Sequence, residues 1–141
     1  MFSAIDSSPY PHPNKHSWNK NASVLFIDNP SGVGFNRGYQ GEKITDADSG
    51  EREMNFLLKW YEEYPQYLAN ELWITGESYA GVYVPWLAYN LLVNGHTTKD
   101  NGKINLKGVA IGNGVTDWRV DGDPAWIEMA WYHGLIPLKL K

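Results

Sequence analysis

Three short apolar runs alternate along this chain with three stretches of helical periodicity. Ala22–Asp28 (Ala-Ser-Val-Leu-Phe-Ile-Asp) is nearly continuously apolar, and Asn29-Pro30-Ser31-Gly32 closes it with turn-forming residues. Such a run predicts a strand covered on both faces, as in a parallel sheet. Glu71–Thr75 and Lys107–Gly112 repeat the pattern. Before the second run, Met54, Leu57, Leu58 and Tyr61 fall at i, i+3, i+4 and i+7, the apolar stripe of an amphipathic helix. Thr45 supplies its N-cap, Asp46 and Asp48 suit its positive end, Gly50 weakens its early part, and Pro65 predicts its end near Tyr64. Val84, Leu87, Ala88, Leu91 and Leu92 predict a second helix, kinked or restarted at Pro85 and closed by Asn94-Gly95. A third starts at Asp123-Pro124 and stops at Gly134. This alternation predicts an α/β fold of parallel strands joined by crossover helices. Residues 1–20, rich in Ser, Pro, His and Asn, read as an extended lead-in, leaving 21–141 as the folded domain.

The 141 residues suit one domain, and 43% hydrophobic with 20% charged residues is a globular balance. Twelve Lys and Arg against sixteen Asp and Glu give a net charge of −4. That acidity speaks against nucleic acid as the main partner, since phosphate binding needs a basic face. Without cysteine there is no disulfide, thiolate metal site or cysteine nucleophile in this stretch. No run approaches the ~18 apolar residues of a membrane helix, so no membrane span is expected. Met1–Pro9 lacks a basic and an apolar region, so no signal peptide is expected in this chain, which taken literally reads as cytosolic. No His and carboxylate spacing suggests a metal, and no cofactor is expected. Gly32-Val33-Gly34 is followed by Gly38, one residue too far for a dinucleotide loop, and reads as a tight loop. The scattered tryptophans read as packing rather than a sugar platform. Asn21-Ala22-Ser23 is a glycosylation sequon, meaningful only in a secreted chain.

Gly76-Glu77-Ser78-Tyr79-Ala80-Gly81 carries the chemistry. It lies between a predicted strand and a predicted helix, the context of the nucleophile elbow of α/β-hydrolases. There a serine sits on a strained turn with its hydroxyl exposed, and its flanking residues are small because strand and helix nearly touch. Gly76 and Ala80 meet that need, and Gly81 adds room. Ser78 is the candidate nucleophile, and the Tyr79 N–H at the helix start the candidate oxyanion donor. The plainer alternative is a Gly-Ser turn that only caps a helix. A serine needs a base, nearly always a histidine held by a carboxylate that precedes it in this fold. His12 and His16 come before Ser78, and His96 reads as a surface residue at a helix end. Asp117 with His133 is the only internal completion of a triad, although a helix-end histidine more often caps than catalyses.

The block continuing through Val82-Tyr83-Val84-Pro85 resembles the nucleophile segment of the serine carboxypeptidase family. Other blocks agree in order: Ser17-Trp18-Asn19-Lys20 with Val24–Asp28, Asn29–Phe35, Phe56-Leu57-Leu58 with Tyr64-Pro65-Gln66-Tyr67, Leu106–Gly108 through Gly112-Asn113-Gly114 with Thr116-Asp117, and Trp131–Ile136. The resemblance covers about residues 17–137. It implies a partial α/β-hydrolase fold and an exopeptidase acting on the C-terminus of a peptide or protein, in a lysosome or vacuole or outside the cell. Ser78 then forms the acyl-enzyme, Tyr79 N–H donates to the oxyanion, and Glu77 helps bind the substrate carboxylate. A carboxyl does that only when protonated or sharing a proton, a physical reason for the family's acidic working range. Without the resemblance, Glu77 reads as a solvated acid beside a turn. The family's Asn-Gly-Gly-Pro-Gly segment and its catalytic Asp and His match nothing in this chain, and by that pattern Asp117 and His133 are not the triad partners. The site is therefore expected to be incomplete here, its triad Asp and His lying in missing segments. Two other readings compete: a non-catalytic remnant that at most binds another chain, and a serine esterase or acyltransferase on the same elbow. Three strands with open edges also predict that the isolated chain is poorly stable or aggregates. A monomeric chain that unfolds cooperatively would sink that expectation.

Overall fold

The computed structural model describes residues 2–3, 10–38, 41, 43–93, 98 and 102–141. Asn94-Gly95, expected to close the second helix, and His96 lie outside the described residues. The chain divides into two compact units, residues 1–37 and 38–141.

In the first unit, β1 (Phe2–Ser3) pairs antiparallel with β2 (His12–Pro13), Phe2 opposite Pro13. The expected strand over Ala22–Asp28 is not formed: the segment is irregular and no described strand pairs with it. Val24, Leu25 and Phe26 are exposed, so the continuous apolar pattern reflects no two-sided burial within the unit. The loop after it is tight, as expected. The Asp28 carboxylate accepts from the Phe35 N–H at 2.8 Å, and the Asn36 side chain donates to the Asp28 carbonyl at 3.0 Å. Gly34, at φ +56°, lies so close that a Cβ there would fall 2.3 Å from the Asp28 carboxylate.

The second unit opens with α1 (Asp46–Glu63). Thr45 caps it as the sequence indicates. Its hydroxyl accepts from the Asp48 N–H at 3.2 Å, while Asp48 accepts from the Thr45 N–H at 2.8 Å. The chain leaves α1 through a 3-10 turn, Pro65–Tyr67, into β3 (Leu72–Glu77). Next come α2 (Ala80–Val93) and β4 (Leu106–Gly112). β3 and β4 are parallel, with Leu72 opposite Leu106 and Glu77 opposite Gly112. A short helix α3 (Trp118–Asp121) and then α4 (Asp123–Tyr132) follow, and Gly134 at φ +67° ends the latter. Pro85 does not break α2; it is exposed, and the helix runs on from Ala80 to Val93. The missing ladder bond is the single one toward the Gly81 carbonyl.

Met54, Leu57 and Tyr61 of α1 pack with Val84, Leu87, Ala88 and Leu91 of α2 and with Ile74 of β3. Each large side chain buried this way contributes about 1.5–3 kcal/mol. Trp73 and Val109, on β3 and β4, stay exposed. No described helix is long and apolar enough to cross a membrane.

Candidate active site

β3 ends at Glu77 and α2 begins at Ala80, so Ser78 and Tyr79 form the whole turn between them. Ser78 has φ +61°, in the left-handed region that L-residues enter only with strain. Three backbone bonds hold it. Its N–H donates to the Gly112 carbonyl at 3.0 Å, and its carbonyl accepts from Gly81 at 3.0 Å and Val115 at 2.9 Å. The exit of β4 thus pins the turn, and Ser78 remains exposed.

The small residues have the expected reason and one more. A Cβ on Gly76 would meet the Ala80 methyl at 2.4 Å, as the strand–helix argument requires. A Cβ on Gly81 would meet the Val115 carbonyl oxygen at 2.3 Å, and one on Gly114 would lie 3.3 Å from the Gly81 Cα. Gly81 is therefore where α2 touches the chain leaving β4. Asn113, the second non-glycine residue at positive φ (+45°), begins that crossing. Sequence reasoning gave Asn113 and Gly114 no geometric role, although a Gly-Asn-Gly triplet ending a strand signals a forced turn.

The side chain of Tyr79 is anchored at its far end. Its N–H makes no hydrogen bond to a described residue. Its hydroxyl donates to the Asp46 carboxylate, 2.9 and 3.1 Å from the two oxygens. Its ring stands edge-on to Tyr83, centroids 5.1 Å apart, and lies 6.1 Å from Trp118. The hydrogen bond to Asp46 raises the phenol's pKa. Glu77 is exposed at the end of β3, and its carboxylate makes no hydrogen bond to a described residue.

The structure does not bring Asp117 and His133 together through any hydrogen bond. Asp117 caps α3 through the Arg119 N–H at 2.9 Å and pairs with its guanidinium at 2.6 Å, which holds its carboxyl below the usual range. His133 spends Nδ1 on the Met129 carbonyl at 2.9 Å. No hydrogen bond joins His133 to Ser78, and no cluster among the described residues could hold a metal.

Sequence reasoning also missed Glu53. It lies on α1 between Gly50 and Leu57, on the side that packs against α2, and its Oε2 is buried without a hydrogen-bond partner. Burial pushes its carboxyl from an ordinary 4.5 up to about 7. Tyr83 feels it: burial first, then the charges of Asp46 and Glu53, raise that phenol. The folded chain keeps a proton on Glu53 that the unfolded chain releases above its ordinary value. Stability from this group is complete below pH 4.5 and is lost as pH rises through about 7. With solvent screening of a half-buried group, the loss is about 2 kcal/mol. Urea unfolding across that range is expected to show it, and Glu53→Gln to remove it. An unchanged slope in the variant would refute the assignment.

A family model described as serine carboxypeptidase matches residues 2–140. The chain belongs to the serine carboxypeptidase family. Among its relatives, serine carboxypeptidase-like 46 of Arabidopsis thaliana is 43% identical over 126 residues, covering 87% of the chain and 26% of the relative. Serine carboxypeptidase 1 of Hordeum vulgare is 38% identical over 138 residues, covering 94% and 27%. The crystal structure of a prohormone-processing carboxypeptidase from Saccharomyces cerevisiae superposes with a TM-score of 0.73 at 30% identity, covering 91% of the chain and 28% of the other. The fold is thus part of an α/β-hydrolase fold, and the chain spans about a quarter of the length of these carboxypeptidases.

Proposed function

We propose that the protein carrying this chain is a serine carboxypeptidase and that Ser78 is its nucleophile. The observation that carries the reading is the φ of +61° at Ser78, held between β3 and α2 by the backbone of Gly112 and Val115. The Ser78 hydroxyl oxygen attacks the carbonyl carbon of the substrate's last peptide bond. Its proton passes to a histidine supplied from outside these residues and then to the leaving amine. The C–N bond breaks, the C-terminal amino acid departs, and water hydrolyses the Ser78 ester. The Tyr79 N–H donates to the oxyanion, and positive potential from the start of α2 assists it. Glu77, protonated or sharing a proton, takes the substrate's terminal carboxylate. That requirement places the activity in acid, fitting a lysosomal, vacuolar or secreted enzyme.

The test treats the protein isolated from its source with an alkyl fluorophosphonate, and separately with an N-blocked dipeptide at pH 5 and pH 8. The expected result is a covalent adduct on the Ser78 peptide and release of a free C-terminal amino acid, faster at pH 5. An adduct elsewhere, or none, overturns the assignment. Turnover of a plain ester without amino acid release would favour an esterase or acyltransferase instead.

A further inference from the structure

The hydroxyl of Tyr79 reaches across to a helix that begins 33 residues earlier in the chain. Both oxygens of Asp46 receive it, at 3.1 and 2.9 Å. Asp46 is the first residue of α1, and the reciprocal Thr45–Asp48 cap fixes the backbone at that point. The acceptor is therefore presented by an ordered helix end rather than by a mobile surface chain. The ring contacts with Tyr83 and Trp118 confine the Tyr79 side chain sideways, while the hydrogen bond fixes its far end. The near end is the peptide that joins Ser78 to Tyr79. Its carbonyl side is held by the N–H groups of Gly81 and Val115, and the Tyr79 side chain restrains it from the amide side, where Ser78 at φ +61° would otherwise relax.

We propose that Asp46 is a positioning residue of the active site: its carboxylate holds the Tyr79 hydroxyl and thereby orients the peptide N–H that follows the nucleophile. This rests on the reading of Ser78 as nucleophile and of the Tyr79 N–H as oxyanion donor. Asp46 acts through geometry, not charge. An anion near a developing oxyanion is unhelpful in itself, so an acceptor of the same shape without the charge does the same work. Asparagine keeps a carbonyl oxygen for the phenol, and alanine does not.

The experiment uses the full-length source enzyme and its variants, following hydrogen exchange at the Val115 amide, which donates to the carbonyl of the Ser78–Tyr79 peptide, with Ile74 in β3 as internal reference. Asp46→Ala and Tyr79→Phe are each expected to speed Val115 exchange about tenfold relative to Ile74, the size of one lost hydrogen bond to a charged group. The double variant adds nothing further, and Asp46→Asn restores protection. The same two variants lower kcat with KM unchanged, and Asp46→Asn recovers it. Tyr79→Phe, which keeps both ring contacts, decides the matter should Asp46→Ala fail to fold. Additive effects, exchange at Ile74 rising in step with Val115, or no rescue by asparagine overturns the proposal. Coupled Val115 exchange in a protein whose Ser78 takes no fluorophosphonate adduct would instead sink the nucleophile reading and leave the Asp46–Tyr79 coupling standing.

Discussion

Ser78→Gly is expected to yield a protein that is harder to unfold and chemically inert. At φ +61° the serine pays about 1–2 kcal/mol for its left-handed backbone. Glycine enters that region freely, but loses about 0.5–1 kcal/mol more conformational freedom on folding. The difference leaves a net gain of up to about 1.5 kcal/mol. The side chain gives up little in exchange, because Ser78 is exposed and the bonds that hold the turn come from its backbone. Reactivity goes the other way: removing the nucleophile of a serine hydrolase typically lowers turnover about 10⁶-fold. Urea unfolding of wild type and variant, beside fluorophosphonate labelling of both, checks the pair. A variant less stable than wild type by 1 kcal/mol or more, on the order of the strain invoked, would mean that the turn is not strained.

Gly81→Ala is expected to destabilise the second unit by about 3 kcal/mol, at the upper end of overpacking effects. The added methyl would lie 2.3 Å from the Val115 carbonyl oxygen, 2.7 Å from its nitrogen and 2.8 Å from its carbonyl carbon. All three are backbone atoms, so no rotamer change relieves them. The Val115 N–H also donates to the Ser78 carbonyl, so relief by moving Val115 loosens the Ser78 turn as well. Two other glycines calibrate the claim. A methyl on Gly112 meets nothing closer than Glu77 Cγ at 3.9 Å, and Gly112→Ala should be nearly silent. One on Gly108 meets the ring of Trp73, an exposed side chain that can swing away, so Gly108→Ala should fall between. Chemical denaturation of the three variants gives the order, and a Gly81→Ala as stable as Gly112→Ala would refute it.

What the sequence discloses divides along physical lines. α1 was legible to its boundaries, because Thr45 and Asp48 satisfy backbone donors locally and Pro65 stops the helix locally. Around Ser78, the small size of Gly76 has a local reason in Ala80, whereas that of Gly81 lies in the distant Val115. β3 was anticipated to end at Thr75 but runs to Glu77, since the extra residues owe their ladder to Ile111 and Gly112 of a distant strand. The run at Val24–Phe26 misled because apolar content does not supply a pairing partner. α3 escaped notice because its signal, an Asp117 cap and Asp121 gathering the Thr116 and Asp117 N–H groups, is spread over a few polar residues without periodicity. Glu53 was invisible for a different reason. A glutamate beside an apolar stripe looks like a surface residue until the partner helix is in place.

The close approach of Gly81 to Val115 also bears on the order in which the molecule is made. β3, α2 and β4 follow one another directly, and the parallel pairing closes a loop with one helix in it. That pairing uses no residue beyond Gly112. Among the described residues, the bonds that hold Ser78 in its strained posture come from Gly81, Gly112 and Val115. A growing polypeptide therefore has the hydrogen-bond partners of the Ser78 turn once Val115 has cleared the ribosome, before any later residue is made.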